Sequence, residues 1–159
     1  MKDALFTRVE GVFYRAVDPA YRAYALAGSR TPGRYSSAAQ PTLYLSATPE
    51  GVDAAMAAHR DRRSAGLAIV RVHVQATRIC DLRDAAALAA LGVRLEDAAA
   101  PWQDIVAAGG RPHSWGVREH LETAGANGLI DPSRKAPGLW HLVLFCWNED
   151  DAPRVRLID

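Results

Sequence analysis

Residues 67–74 alternate between two kinds of side chain, and this period of two is the strongest structural signal in the sequence. Val70, Val72 and Val74 fall on one side of the segment, whereas Arg71 falls on the other. Successive side chains of a strand point to opposite faces, so the pattern predicts a β-strand with one buried face. The chain must therefore build a sheet that covers this face.

The other predicted elements are shorter. Further strands are predicted at residues 11–17, 42–46, 79–82, 128–130, 139–147 and 154–158, the last at a sheet edge. Helices are predicted from Thr48-Pro49-Glu50 into a basic cluster at 60–63, at 84–91, and at 114–123. Residues 28–41 are predicted as a loop and 93–112 as a mixed region. Strands and helices do not alternate regularly, so the chain is predicted to be one α+β domain over 1–159, with central sheets and short flanking helices.

The composition excludes several classes of protein. The 159 residues are 49% hydrophobic and 23% charged, which is typical of a globular domain. The net charge of +1 gives no electrostatic basis for binding nucleic acid or an acidic membrane. No apolar run is long enough to cross a bilayer, and Arg8 and Glu10 interrupt the start where a signal peptide would have its apolar core. We therefore expect a cytoplasmic protein in which Cys80 and Cys146 are free thiols rather than a disulfide.

Common catalytic motifs are absent from the sequence. It has neither of the two glycine-rich phosphate-binding loops, no Cys-x-x-Cys, no His-Glu-x-x-His and no Gly-x-Ser-x-Gly. The five histidines do not have the spacing of metal ligands, so no metal site is predicted. An ordinary hydrolase or dehydrogenase is not indicated.

Three polar segments interrupt apolar or flexible parts of the chain. They are Tyr14-Arg15 in the first strand, Gly33-Arg34-Tyr35 in the loop before Tyr44, and residues 131–135, which combine a serine with two cations. Arginine binds phosphate or carboxylate through two parallel hydrogen bonds, and tyrosine offers a ring face for stacking. Each segment also has a structural explanation, as an exposed strand position, a turn or a cap. Taken singly, they indicate no more than a capacity to bind an anion.

The order of these segments resembles the N-terminal half of the RES-domain family. Phe13-Tyr14-Arg15 is followed by Gly33-Arg34-Tyr35, and then by Leu43-Tyr44-Leu45-Ser46, which enters a Thr-Pro-Glu helix. The C-terminal half is similar through Pro101-Trp102, the segment from Gly125 to Ser133, and the apolar strand that follows. The resemblance covers about residues 10 to 150.

The family takes its name from an arginine, a glutamate and a serine. By position, Arg15 and Ser133 match the arginine and the serine. The glutamate position is occupied by Ala55, and the nearest carboxylates are Asp53 and Glu50. Glu50 is explained as a first-turn acid favoured by the helix dipole, whereas aspartate is a poor helix former beyond the first turn. Asp53 is therefore the candidate catalytic carboxylate.

The resemblance implies a fold like that of the ADP-ribosyltransferases, with NAD+ as substrate. Arg15 and Arg34 would neutralise the pyrophosphate, and Tyr44 would stack on the cationic nicotinamide ring beside Tyr35. Cleavage of the ribosyl bond passes through a cation like that of glycoside hydrolysis, which a nearby carboxylate stabilises. Ser133 would hydrogen-bond the ribose or the carboxamide.

The resemblance also implies the biological role. RES proteins are toxins of bacterial toxin–antitoxin pairs, so a cognate antitoxin with a helix-turn-helix part is expected to cover the active site. We expect this chain to cleave NAD+ and to transfer ADP-ribose to a cellular protein. Two alternatives stay open: NAD+ phosphorolysis or hydrolysis without a protein acceptor, and a catalytically silent member that only binds its antitoxin.

Overall fold

The computed structural model describes residues 5–56 and 66–158. In this part of the chain the strands are β1 (Thr7–Val17), β2 (Leu43–Ser46), β3 (Ala68–Asp81), β4 (Gly128–Pro132), β5 (Trp140–Leu144) and β6 (Arg154–Ile158). The helices are α1 (Pro49–Met56), α2 (Ala85–Leu91), α3 (Leu95–Ala99), α4 (Gln103–Ala107) and α5 (His113–Thr123), with a 3-10 helix at Pro19–Tyr24. The predicted basic end of the first helix, at 60–63, lies outside the described residues.

The strands form one sheet that closes on itself. Its order is β1-β2-β5-β4-β3-β6, and β1 also pairs with β3 along most of its length, so that five strands make a ring. Neighbouring strands run antiparallel except β3 and β4, which are parallel. The last strand, β6, pairs with β3 alone, which confirms the predicted edge strand. The predicted mixture of β-structure with short helices is also confirmed, but the strands form one closed sheet instead of the predicted central sheets.

The alternating segment is longer than the sequence indicates. Residues 67–74 and 79–82 were predicted as separate strands, but β3 runs continuously from Ala68 to Asp81. The two parts join at a β-bulge opposite the start of β1, where Arg78 has a φ of 61°. A bulge inserts an extra residue and shifts the alternation, so the two parts do not share one period.

Apolar side chains are buried on both faces of the sheet. The inner face of the ring holds one cluster, built from β1, β2, β3, β5 and neighbouring elements and centred on Val72, Val74 and Leu142. The outer face of β4 and β5 packs against the helices in a second cluster, through residues such as Leu129, Val143 and Leu121. The sheet therefore separates two hydrophobic cores. The face on which a strand residue lies determines the core against which its side chain packs.

The helices differ in how clearly the sequence specifies them. Asp84 caps α2 by accepting hydrogen bonds from two backbone N–H groups, and Gly92 ends it in the left-handed conformation, as predicted. Two helices, α3 and α4, occur in the region that was predicted only as mixed. Neither has a side-chain cap, and each is five residues long, so the usual start and stop signals are missing. Both cysteines are free thiols, as expected, with Cys80 buried and Cys146 partly exposed.

Candidate functional site

Arg15 places a partly buried cation against the inner core. It lies on β1 between Phe13 and Val17, which are both buried in the inner cluster, so alternation directs Arg15 toward the same face. Its Nε atom is buried and has no hydrogen-bond partner in the described part of the chain. Burial lowers the pKa of Arg15 below its usual value. A buried polar atom without a partner is costly, which makes this position a candidate for binding an anion.

Tyr44 lies on the other side of the sheet. Tyr14 pairs with Ser46 in the register of β1 and β2, so Tyr14, Ser46 and Tyr44 share the outer face. Arg15 is the next residue after Tyr14 and faces inward. The predicted cleft of Arg15, Tyr44 and Ser133 is therefore not assembled on one face of the sheet.

The phenol of Tyr44 holds the loop at residues 33–36. Its oxygen lies 2.7 Å from the Ser36 hydroxyl and accepts a hydrogen bond of 3.1 Å from the Tyr35 backbone N–H. Gly33 lies so close that a Cβ there would come within 2.6 Å of this oxygen. The glycine is required by close approach of the loop to the ring, and burial raises the pKa of Tyr44.

Helix α5 fixes the same loop from the opposite side. The Ser114 hydroxyl donates to the Arg34 carbonyl, and the Trp115 indole donates to the Gly33 carbonyl at 2.8 Å. Arg118 is buried and donates to the Tyr35 carbonyl at 3.2 Å. The polar side chains of one helix thus satisfy the backbone of a loop that has little regular structure of its own.

Arg34 and Arg134 converge on the C-terminal end of α3. Arg34 donates to the carbonyls of Ala98 and Ala100 at 3.0 and 2.8 Å, and Arg134 donates to the same Ala98 carbonyl at 3.0 Å. Burial lowers the pKa of Arg34, and the positive charge of Arg134 lowers it further. Carbonyls at a helix C-terminus favour cations, so both arginines stabilise α3.

Arg134 also joins Asp131 to Tyr35. It binds both carboxylate oxygens of Asp131 at 2.9 and 3.1 Å, and it lies 3.3 Å from the Tyr35 hydroxyl. Asp131 is 5% exposed and Tyr35 is 1% exposed. Burial raises the pKa of Tyr35 well above its usual value, and Asp131 adds to the increase. The sequence placed Tyr35 in an NAD+-binding role, and here its side chain is enclosed in this network.

Ser133 lies in a turn beyond β4. Its hydroxyl oxygen accepts a hydrogen bond of 3.1 Å from the Ala136 N–H, and its own N–H continues the ladder to the Leu139 carbonyl at 2.9 Å. These contacts match the structural explanation of a Pro-Ser cap. They leave the hydroxyl proton of Ser133 free to donate to another group.

The candidate carboxylates are on the outside of α1. Asp53 and Glu50 are both exposed, and Ala55 follows them in the same helix. Asp53 makes no hydrogen bond or ion pair within the described ranges. The helix begins at Pro49 with the Thr48 hydroxyl accepting from the Gly51 N–H at 3.0 Å, as its sequence predicts.

A polar pair on the outer face was not predicted from the sequence. The hydroxyl of Ser46 lies 2.9 Å from Nδ1 of His141, its partner in the register of β2 and β5. Asp131 is in turn the register partner of His141 on β4. Ser46 and His141 are 95 residues apart, and only the strand register brings them together. The one local signal was a single histidine within the apolar segment 139–147.

Comparison with known proteins places this arrangement in a family. The model of the RES domain matches residues 12–159, which is most of the chain. The chain belongs to the RES-domain family. Among curated proteins, none matches the sequence.

A solved structure shares the RES fold of this chain. It is described as the crystal structure of the M. tuberculosis MbcT-MbcA toxin-antitoxin complex, and the similarity has a TM-score of 0.61 at 18% sequence identity. It covers 98% of this chain and 86% of the other. At this identity the likeness shows the fold alone.

Two further observations concern ligands and membranes. Among the described residues, no group of three or more histidine, cysteine, aspartate or glutamate side chains is arranged to hold a metal ion. None of the helices in the same residues has both the length and the apolar character needed to cross a membrane.

Proposed function

We propose that this RES-domain protein is the toxin of a toxin–antitoxin pair and uses NAD+ as its substrate. It cleaves the bond between nicotinamide and ribose and transfers ADP-ribose to a cellular protein. Membership of the family supports the use of NAD+, and the similar M. tuberculosis structure is that of a toxin with its antitoxin. In this proposal the fold is related to that of the ADP-ribosyltransferases.

The observation that carries the proposal is the state of Arg15. Its Nε atom is buried without a partner among the described residues, and no carboxylate contributes to its shifted pKa. A largely buried cation with no countercharge among the described residues is unfavourable unless a ligand supplies the opposite charge. The pyrophosphate of NAD+ is such an anion, and a guanidinium can bind it with two hydrogen bonds.

Other residues are proposed to contact the pyrophosphate, the nicotinamide ring and the ribose of NAD+. Both hydrogen bonds of Arg34 to α3 come from one nitrogen, and in this proposal its remaining N–H groups contact the pyrophosphate from the outer side of the sheet. The ring of Tyr44 offers a stacking surface for the cationic nicotinamide, and Tyr35 anchors the loop beside it. The hydroxyl proton of Ser133 is available to the ribose or the carboxamide.

The reaction creates positive charge on the ribose. When the nicotinamide–ribose bond breaks, its electron pair leaves with nicotinamide and the ribosyl carbon becomes a cation. We propose that Asp53 supplies negative charge in place of the glutamate that Ala55 replaces. Asp53→Asn should slow NAD+ turnover about a hundredfold or more, whereas Glu50→Gln should not. Equal turnover in wild type and both variants would show that α1 carries no catalytic acid.

Labelled NAD+ distinguishes the possible reactions. Purified protein is incubated with NAD+ that is labelled in its ADP-ribose part, in the presence of a cell extract and separately without it. Label on a protein band supports transfer, whereas free ADP-ribose or its 1″-phosphate would show hydrolysis or phosphorolysis without an acceptor. Intact NAD+ in both samples would contradict the proposed function.

Substitution of Arg15 tests the observation directly. Arg15→Ala should abolish NAD+ turnover without loss of the fold, because it removes a charge that has no partner among the described residues. Arg15→Lys should restore only part of the activity, since an ammonium group lacks the planar fork. Arg154→Ala, at an exposed position on β6, is the matched control and should behave like wild type. A folded Arg15→Ala variant with full activity would overturn the assignment.

A catalytically silent member that only binds its antitoxin is the second candidate. It is favoured because several predicted NAD+ contacts already have partners within the chain: Arg34 binds two carbonyls, and the Tyr44 hydroxyl binds the loop. In that case NAD+ stays intact while the antitoxin still binds tightly.

A further inference from the structure

Four polar side chains form a row across four neighbouring strands on the outer face of the sheet. Tyr14 on β1 pairs with Ser46 on β2, Ser46 pairs with His141 on β5, and His141 pairs with Asp131 on β4. The row two positions along contains Leu129 and Val143, which are buried in the outer core, and Tyr44, which is partly buried against it. Packing does not require polar groups in this setting, since buried polar side chains stabilise a fold less than well-packed apolar ones.

Ser46 is held rigidly in this row. It is 5% exposed and lies beneath the first turn of α1, where a Cβ at Gly51 would come within 3.2 Å of the Ser46 Cβ. Its hydroxyl meets Nδ1 of His141 at 2.9 Å. The hydrogen bond at one ring nitrogen determines the tautomer and the orientation of the imidazole. The other nitrogen, Nε2, has no hydrogen bond to any residue that the structure describes.

Burial favours the neutral form of His141. Burial lowers its pKa below the usual value, the Asp131 carboxylate opposes this shift, and Arg134 reinforces it. Tyr14 lies on the other side of Ser46 in the row. If Nδ1–H donates to the Ser46 oxygen, the lone pair of Nε2 is available to accept a proton.

The polar row lies close to Tyr44, the residue proposed to stack on nicotinamide. Ser46 is two residues beyond Tyr44 on the same face of β2, a separation of about 6–7 Å along a strand. In the proposed function the Tyr44 ring stacks on nicotinamide, which is bonded directly to the ribosyl carbon C1″. With C1″ on the Ser46 side of the stacked ring, the reacting carbon and the incoming nucleophile would lie near the Ser46–His141 pair.

We propose that His141 is the general base of the NAD+ reaction and that Ser46 is its positioning residue, an assignment that rests on the proposed function. The oxygen or nitrogen of the acceptor forms a bond to C1″ while the C1″–nicotinamide bond breaks, and nicotinamide leaves with the electron pair. Nε2 of His141 takes the proton that the acceptor loses, and the resulting imidazolium later releases it to solvent. Asp131 stabilises the imidazolium across the strand pair.

The test compares His141→Asn with wild type. An asparagine amide can still reach the Ser46 hydroxyl from nearly the position of Nδ1, so the structural contact is kept while the base is lost. We expect kcat for NAD+ turnover to fall about a hundredfold or more with little change in KM, the range typical of general-base removal. The matched control is His73→Asn on β3, which should retain wild-type turnover.

The pH profile separates a catalytic role from a structural one. Wild-type kcat should decrease as the pH falls through the lowered pKa of His141, because the protonated ring cannot act as a base. This acidic limb should be absent in His141→Asn. In Ser46→Ala the limb should persist while kcat falls, and the 15N chemical shifts of the imidazole should report loss of the Nδ1–H tautomer.

The outcomes distinguish this inference from the proposed function. If wild-type protein does not consume NAD+, the proposed function fails, and the role of His141 as base fails with it. If wild type consumes NAD+ and folded His141→Asn does so equally with the same acidic limb, only the assignment of His141 is overturned. A wild-type imidazole that carries its proton on Nε2 would overturn the positioning role of Ser46.

Discussion

The hydroxyl and the ring of Tyr44 have different roles, and the effects of losing each are separated by Tyr44→Phe and Tyr44→Ala. The hydroxyl binds the Tyr35 N–H and the Ser36 side chain, whereas the ring is the proposed stacking surface. Tyr44→Phe should therefore lower the free energy of unfolding by about 1–3 kcal/mol, because two buried groups lose their partner. Its NAD+ turnover should stay within a few-fold of wild type.

Tyr44→Ala should lose most turnover as well as stability, because stacking needs the ring. The control for removal of a hydroxyl is Tyr24→Phe, since Tyr24 is 66% exposed. Denaturant unfolding and labelled NAD+ measure the two effects separately. Equal loss of turnover in Tyr44→Phe and Tyr44→Ala would assign the chemistry to the phenol instead.

Tyr35 gives a prediction for alkaline pH. Burial raises its pKa well above the usual value of about 10, and Asp131 adds to the increase although Arg134 opposes it. The folded protein therefore holds the phenol proton more tightly than the unfolded chain does. The stabilisation is fully present below pH 10 and is lost as the pH rises above it. Urea unfolding should show a smaller loss of stability between pH 9 and pH 11 in Tyr35→Phe than in wild type. Parallel losses in both proteins would contradict this linkage.

At the scale of elements, the loop at residues 33–36 depends on the surfaces that enclose it. Gly33→Ala places a methyl group 2.6 Å from the Tyr44 oxygen, so the loop or the ring must move. Overpacking of this kind costs about 1–3 kcal/mol. Gly116→Ala is the matched control, because Gly116 lies within α5 with no atom near its added Cβ. It should stabilise the protein by about 0.5–1 kcal/mol through helix propensity. Thermal unfolding of the two variants should therefore shift in opposite directions, and a shift in the same direction would show that the loop tolerates the methyl group.

Some of the strands and helices can be recognised from the local sequence, and others cannot. β3 and α2 were recognised because alternation, an aspartate cap and a C-terminal glycine are all local signals. The bulge at Arg78 and the uncapped α3 were not recognised, because their stability comes from partners distant in the chain. Arg34 contacts Ala98, which is 64 residues away in the sequence, and no local sequence pattern predicts that contact.

The same distinction applies to the candidate site. Arg15, Tyr44 and Ser133 were selected from the order of motifs in the sequence. The strand register, which that order does not reveal, places Arg15 and Tyr44 on opposite faces of the sheet, and Ser133 lies in a turn beyond β4. The pairing of Ser46 with His141 requires β2 and β5 to be adjacent and aligned. Strand order within a closed sheet is a property of the whole chain, so the sequence could identify candidate residues without showing which of them meet.

At the scale of the whole molecule, a toxin must be inactive in the cell that makes it. Under the proposed function, expression of this chain alone should arrest growth through consumption of NAD+, and co-expression of its co-encoded antitoxin should restore growth. Arg15→Ala is the informative control, since it should remove toxicity while the purified variant still binds the antitoxin. Cellular NAD+ should fall before growth stops and should stay constant with Arg15→Ala. Growth arrest at constant NAD+ would point to a different target. Harmless expression of the wild-type chain, combined with tight antitoxin binding, would instead support the silent member, because binding would then persist without any reaction to inhibit.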